Sequence, residues 1–177
     1  ERNHSEVDNI KSKLESVKKR LKGKLPRETE IQILFHASNV EMIIHEKNCD
    51  MQAGRDKIKQ IEADLKTYGA EVPANTKSLM MMNLACFNII DENYNASAKY
   101  LNTLFNSPEL DLRSDVNRIA RILQLVLHYE MGNFDLIEYL LVSSKKFLSP
   151  KQTRMESLML KFFGNIIKHP KEKHAAL

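Results

Sequence analysis

Four polar side chains repeat at helical spacing in the segment 113–131, and no other residues of this sequence are as well arranged to bind a partner. They are Asn117, Arg121, Gln124 and His128, separated by four, three and four positions, so they share one face of a helix. Arg121 and Gln124 can hold a carboxylate or the backbone amides of a partner in a groove. An ordinary solvated face is the favoured interpretation of this strip, and the partner-binding groove is the alternative. A shorter set of the same kind occurs earlier in the chain: Gln32, His36 and Asn39.

A metal site and an active site are not expected. His45 and Cys49 are four positions apart, a spacing that supplies two metal ligands from one helix, but no second pair of ligands stands near them. Glycine-rich phosphate loops are absent, and the His, Cys and acidic residues form no catalytic grouping. We therefore predict no metal, no cofactor and no enzymatic activity.

The positive charge is concentrated at the N-terminal end. Residues 1–24 hold eight Lys or Arg against four acids, which accounts for the whole net charge of +4. The densest part can contact phosphate, RNA or an anionic surface, but it lacks interleaved aromatic residues, so a solvated face is the favoured interpretation and nucleic acid is not the expected partner. Its residues are Lys18, Lys19, Arg20, Lys22 and Lys24.

Composition and cysteine use indicate the compartment. The cysteines, Cys49 and Cys86, are interpreted as buried free thiols of a reducing compartment. The sequence contains no apolar run of 18 residues, so no membrane span is predicted. We expect a cytoplasmic protein. The chain begins at Glu1 rather than Met, which suggests a fragment of a longer protein.

The elements that must position these residues are helices. Only five Gly and five Pro, with no Trp, favour an all-α protein. Apolar residues recur at three- and four-residue intervals in eight segments. The predicted helices are 5–22, 29–48, 51–68, 75–92, 94–105, 113–131, 134–148 and 150–168.

The last predicted helix, 150–168, has a broad apolar stripe that includes Met155, Met159, Phe162 and Phe163. A terminal helix of a repeat array is normally polar on its outer side. Capping of the core is the favoured interpretation. The alternative is a homodimer interface, or a face that receives the next helix of a longer array.

Three pairs of helices meet at similar tips. The tips Asn48–Cys49, Asn93–Tyr94 and Asn133–Phe134 are separated by 45 and 40 residues, and each follows a helix of similar length. Repeated helix–turn–helix units of this size predict an α-solenoid, in which stacked hairpins share a continuous core.

The tips also resemble those of tetratricopeptide-repeat-like (TPR-like) proteins. Gly132–Asn133–Phe134–Asp135 is similar to that family's G-D-Y-D turn, and Glu92–Asn93–Tyr94–Asn95 is similar at the previous tip. Ala85 and Ser97 have the small size that the family uses where its helices approach closely. The segment 113–148 resembles bacterial TPR-like proteins of unassigned function, and the resemblance covers residues 29–168. It implies protein–protein binding rather than catalysis.

The resemblance bears on the polar strip. In the family's register Arg121, Gln124 and His128 fall where packing residues sit. Either this helix is rotated, or the three side chains are buried polar groups that need partners.

We therefore predict one helical-repeat domain, 1–177, that acts as a protein–protein interaction scaffold or adaptor within a larger bacterial protein. The alternative function is a nucleic-acid-associated or regulatory domain that uses the basic N-terminal helix. The predicted parts are the basic helix 1–24, the hairpins 29–68, 75–107 and 113–148, and the capping helix 150–168.

Overall fold

The protein is all-helical, as predicted. The computed structural model describes residues 9–10, 12–13, 15–17, 19–20, 23–107, 114–149 and 152–168, and these contain no strand. The described residues between 9 and 20 are helical. No helix among the described residues is both long and apolar enough to cross a membrane. The later helices are α1 (Arg27–Lys47), α2 (Met51–Tyr68), α3 (Ala74–Ile90), α4 (Tyr94–Phe105), α5 (Ser114–Glu130), α6 (Phe134–Leu148) and α7 (Arg154–Lys168).

The start of the last helix differs from the prediction. The sequence placed its start at position 150, directly after Ser149, whereas α7 begins at Arg154. Thr153 and Glu156 form a reciprocal capping box: the Thr153 N–H donates to Glu156 Oε2 at 2.7 Å, and the Glu156 N–H donates to Thr153 Oγ1 at 3.3 Å. Ser149 instead closes α6, because its N–H donates to the carbonyl of Lys145.

The chain divides into two compact units, and the first ends at Asn93. In this unit α1 packs against both α2 and α3. Three consecutive methionines of α3, Met80–Met82, lie in its core. Two ion pairs tie α2 to its neighbours: buried Lys57 pairs with Glu41 of α1, and Arg55 Nη1 lies 2.6 Å from Asp91 Oδ1 at the end of α3. The core includes Ile31, Phe35, Met42, Ile61, Met80, Leu84 and Phe87.

The second unit begins at Tyr94. Here α5 packs against α4 and α6, and α7 packs against α6 and α5. Tyr129 makes edge-to-face contacts with Phe134 and Phe163, with ring centroids 6.1 and 6.2 Å apart. The two helices of the predicted second hairpin, α3 and α4, belong to different units, and the predicted single domain stays a prediction. The core of the second unit includes Leu125, Ile137, Leu140, Leu148, Leu160 and Phe163.

Three helix ends, those of α1, α3 and α5, have the same turn. The second residue after each helix has a left-handed backbone: φ is 53° at Cys49, 57° at Glu92 and 71° at Gly132. The next N–H then donates to the carbonyl five residues earlier, and the N–H of the left-handed residue donates to the carbonyl three residues earlier. These bonds are those of a Schellman motif, which satisfies carbonyls that the helix end leaves unpaired.

The common geometry corrects the predicted alignment of the first tip. Asn48 was aligned with Asn93 and Asn133, but the residue in the equivalent position is Asp50. All three follow the left-handed residue and precede the next helix. Asp50 caps α2 by accepting a hydrogen bond from the Ala53 N–H at 3.2 Å. Thus one Asp or Asn ends the turn and begins the following helix.

The turn residues give a graded stability test. Replacing Glu92 by glycine is expected to raise the free energy of unfolding by about 1 kcal/mol, because a left-handed backbone strains residues that carry a Cβ. Gly132→Ala is expected to lower it by a similar amount, and chemical denaturation measures both. Glu92→Ala is the control, since it removes the charge but keeps the Cβ. If Glu92→Ala stabilises the protein as much as Glu92→Gly, backbone strain is not the cause.

Candidate interaction surface

The predicted polar strip on α5 makes contacts inside the second unit. Asn117 is 2% exposed, and its Oδ1 accepts a hydrogen bond from Arg121 Nε at 3.0 Å. Arg121 Nη1 donates to Ser143 Oγ of α6 at 3.3 Å. The Arg121 guanidinium also lies over the rings of Phe147 and Phe105, with its carbon 4.3 and 5.8 Å from the ring centroids. Arg121 therefore joins α4, α5 and α6, and the strip is not a plain solvated face.

His128 and Gln124 complete the strip. Asn133 Nδ2 lies 3.3 Å from His128 Nδ1, so the imidazole is hydrogen-bonded to the turn that follows its own helix. Burial lowers the pKa of His128, which favours the neutral ring. Gln124 is half-buried and makes no side-chain hydrogen bond with a described residue. The partner-binding role of the strip stays a prediction, but three of its four side chains have partners within the chain.

The shorter set on α1 is not brought together. Asn39 is buried, and its Oδ1 accepts a hydrogen bond from Asn83 Nδ2 of α3 at 2.8 Å. Gln32 Nε2 is 3.5 Å from Glu28 Oε1 on the same helix, and His36 is exposed. Asn39 thus links two helices of the first unit, whereas His36 faces solvent.

Sequence reasoning missed an ion pair between α5 and α7. Arg118 Nε and Nη2 donate to the two carboxylate oxygens of Glu156 at 2.8 and 2.6 Å. The Glu156 carboxylate also accepts the Thr153 N–H at the start of α7. Burial opposes ionisation of Glu156, but the hydrogen bonds from Arg118 and Thr153 outweigh it and lower the pKa of Glu156. The T-x-x-E spacing of the capping box was the one signal in the sequence that could have identified Glu156.

The other candidate groups do not form a chemical site. Within the described ranges no group of three or more His, Cys, Asp or Glu is placed to hold a metal ion. Cys49 is exposed, contrary to the prediction, because it forms the turn after α1. Burial, helped by the charge of Glu46, raises the pKa of Cys86 to about 12, so this thiol stays protonated at neutral pH.

The basic N-terminal segment is described only in part. Lys19 and Arg20 are exposed, and so is Lys24. Lys18 and Lys22 lie outside the described residues. Nucleic-acid association through this segment stays a prediction.

Large apolar side chains are exposed along α6 and α7. On α6, Tyr139 is 72% and Val142 is 67% exposed, and Leu136 lies near them. The predicted stripe on α7 is divided between two faces: Phe163 is buried and Met159 packs against the core, whereas Met155 and Phe162 are exposed. Phe163 and Met159 are therefore available for capping the core, and Met155 and Phe162 for an interface. The exposed members on the two helices are Leu136, Tyr139, Val142, Met155, Leu158 and Phe162.

A groove of about 590 Å³ runs between α6 and α7. Its floor includes the buried side chains of Leu141 and Leu160. Val142 stands at its edge, which connects the groove to the exposed apolar side chains of α6. The charged side chains that line it are Glu138, Lys145, Lys161 and Lys168.

No protein-family model, curated protein or solved structure matches the chain. The resemblance to TPR-like proteins therefore depends on the residues of this sequence alone. The all-helical fold itself is shown by the structure.

Proposed function

We propose that this chain is a TPR-like α-solenoid segment that acts as a protein–protein interaction scaffold in the cytoplasm, without catalytic activity. The three Schellman turns support a repeated helix–turn–helix unit, because the same hydrogen bonds recur at the ends of α1, α3 and α5. The resemblance of the turn sequences to TPR-like proteins supports the same conclusion. Arrays of this kind present extended surfaces to other proteins.

The observation that carries the proposal is the exposure of Tyr139 and Val142. Burying a large apolar side chain contributes about 1.5–3 kcal/mol, which these two positions leave unused within the unit. Tyrosine is enriched in protein interfaces because it combines a large apolar ring with a polar end. Leu136 extends the same side of α6. A partner protein that covers this side of α6 would recover that free energy.

A double variant, Tyr139→Lys with Val142→Glu, tests the proposal. Proteins that co-purify with the chain from its own cells are expected to be lost in this variant, because two apolar contacts become charged. The matched control is Val40→Glu with Ile43→Lys, at two exposed apolar positions of α1. Circular dichroism verifies that both variants remain folded. Retention of the same partners by the α6 variant would overturn the proposed surface.

The exposed face of α7 favours a second candidate, self-association through helix 150–168. Met155, Leu158 and Phe162 are each about half exposed or more, at three- and four-residue spacing. A second copy, or the next helix of a longer array, would cover this face. Light scattering at high protein concentration distinguishes the two: a dimer that Leu158→Glu dissociates supports self-association, and a monomer contradicts it.

A further inference from the structure

Four of the five glycines have an explanation within the chain. Gly23 and Gly132 have a left-handed backbone, with φ of 71° in each. A Cβ on Gly54 would lie 2.1 Å from two ring carbons of Phe87, and a Cβ on Gly69 would lie 2.3 Å from the carbonyl oxygen of Leu65. At these positions any larger residue would be strained or would collide with a neighbour.

Gly164 has no such explanation. It lies inside α7, where glycine destabilises a helix relative to alanine. A Cβ built there would meet nothing closer than Leu141 Cδ2 and Lys145 Nζ, both at 3.8 Å, which is ordinary contact. The residue opens directly onto the groove between α6 and α7. Glycine is useful where another backbone must approach closely, and the groove leaves such an approach to Gly164 open beside Leu141 and Lys145.

The charges of the groove indicate the chemistry of what approaches. Three lysines, Lys145, Lys161 and Lys168, line it against one acid, Glu138. None of the three lysines has an ion pair with a residue in the described part of the chain. An acidic ligand would supply the missing counter-charges.

The apolar floor indicates a peptide. Leu141 and Leu160 lie at the bottom of the groove, and Val142 is exposed at its edge. An apolar side chain that enters the groove would bury this surface, whereas a phosphate backbone would leave it in contact with water. The lining residues on this side of the groove extend from Glu138 of α6 to Ser149, which closes that helix, about three helical turns or roughly 17 Å. That length suits one face of a short amphipathic helix.

We propose that this groove binds an acidic amphipathic helix of a partner protein. The backbone of the partner passes over Gly164, its apolar side chains cover Leu141 and Leu160, and its carboxylates pair with Lys145 and Lys161. The proposal rests on the proposed function and specifies the chemistry of the partner.

The test uses a fluorescent synthetic helical peptide of Glu and Leu, with Leu at every third or fourth position, and measures binding to the whole chain by fluorescence anisotropy. Gly164→Gln fills the groove with a side chain that a helix accepts, and Lys145→Glu with Lys161→Glu reverses its charge. Each change is expected to weaken binding by roughly tenfold or more. Lys146→Glu is the matched control for Lys145→Glu made alone, because Lys146 is the exposed neighbour of Lys145 but does not line the groove. It is expected to leave the affinity unchanged.

Three outcomes would overturn the groove proposal. They are failure of the wild-type chain to bind the peptide, equal binding by the Gly164→Gln variant, and displacement of the peptide by single-stranded RNA at lower concentration than by unlabelled peptide. These outcomes leave the proposed function standing if Tyr139→Lys alone, at a position that does not line the groove, still removes the co-purifying partners. Conversely, peptide binding that depends on the groove, together with retention of the same partners by Tyr139→Lys, would overturn the α6 surface alone.

Discussion

Replacing Gly54 by alanine is expected to lower the free energy of unfolding by about 2–3 kcal/mol, although alanine is the better helix former. Gly54 is buried in α2 where the ring of Phe87, itself 1% exposed, lies against it. The added methyl group would lie 2.1 Å from Cε2 and Cζ of that ring. A closely packed aromatic ring cannot yield this distance without moving α2 away from α3. Chemical denaturation measures this loss as a lower midpoint, provided that the m-value is unchanged.

Gly164→Ala is the matched control for this prediction. It makes the same chemical change in α7, but its methyl group has space, so we expect stability to rise by about 0.5–1 kcal/mol. A second comparison uses Phe87→Leu, which removes the ring. In that background Gly54→Ala is expected to cost much less than in the wild-type chain. Equal costs in the two backgrounds would show that the contact with Phe87 is not the reason for the glycine.

Glu156→Gln is expected to lower the free energy of unfolding by about 2–4 kcal/mol, because it leaves the largely buried guanidinium of Arg118 without its counter-charge. Glutamine retains the size of the side chain and can still accept one hydrogen bond at the start of α7. The loss therefore reports the charge pair rather than the capping box. Glu138→Gln, an exposed position on α6, is the control and is expected to change stability by less than about 0.5 kcal/mol.

The same ion pair makes the free energy of unfolding depend on pH. The pKa of Glu156 is lowered from its ordinary value of 4.5 in the folded protein, so the ionised carboxylate favours folding. Its contribution is fully present above that ordinary value and is lost as the pH falls through the lowered pKa. The stability difference between wild type and Glu156→Gln should therefore be constant near neutral pH and shrink in acid. A difference that grows in acid would contradict the assignment.

A double-mutant cycle separates the pair from its surroundings. Arg118→Met and Glu156→Leu, each made alone, leave one charge without a partner, whereas the double variant removes both. We expect the double variant to be more stable than the sum of the two single losses predicts. Strict additivity would show that Arg118 and Glu156 act independently, in spite of the 2.6 Å contact.

The polar strip shows how far the sequence could go in locating a site. Its spacing correctly placed Asn117, Arg121 and His128 on one side of α5. The spacing did not indicate what that side contacts. Arg118 and Arg121 are three residues apart, and so about 60° apart around the helix axis. One pairs with Glu156 and the other lies against Phe147. Spacing alone cannot separate these roles, because a small rotation of the helix exchanges them.

The exposed apolar side chains were likewise only partly predictable. The sequence indicated a stripe on α7 wider than one contact needs, since Met155, Met159, Phe162 and Phe163 spread around the helix. It could not decide that Phe163 enters the core whereas Phe162 stays half exposed. Tyr139 and Val142 gave no signal, because single apolar residues on an amphipathic helix are common and their exposure depends on what packs beside them.

The sequence by itself determined the helices and the turns, because these depend on residues that are neighbours along the chain. Apolar periodicity located α2, α4 and α6 at their observed bounds, and Gly132 with Asn133 identified the turn after α5. Only the tertiary structure decided which side chains meet. The Arg118–Glu156 pair joins residues 38 positions apart, and the groove at Gly164 exists only because α6 and α7 pack side by side. Such contacts depend on the rotation and spacing of whole helices, which no local pattern of residues specifies.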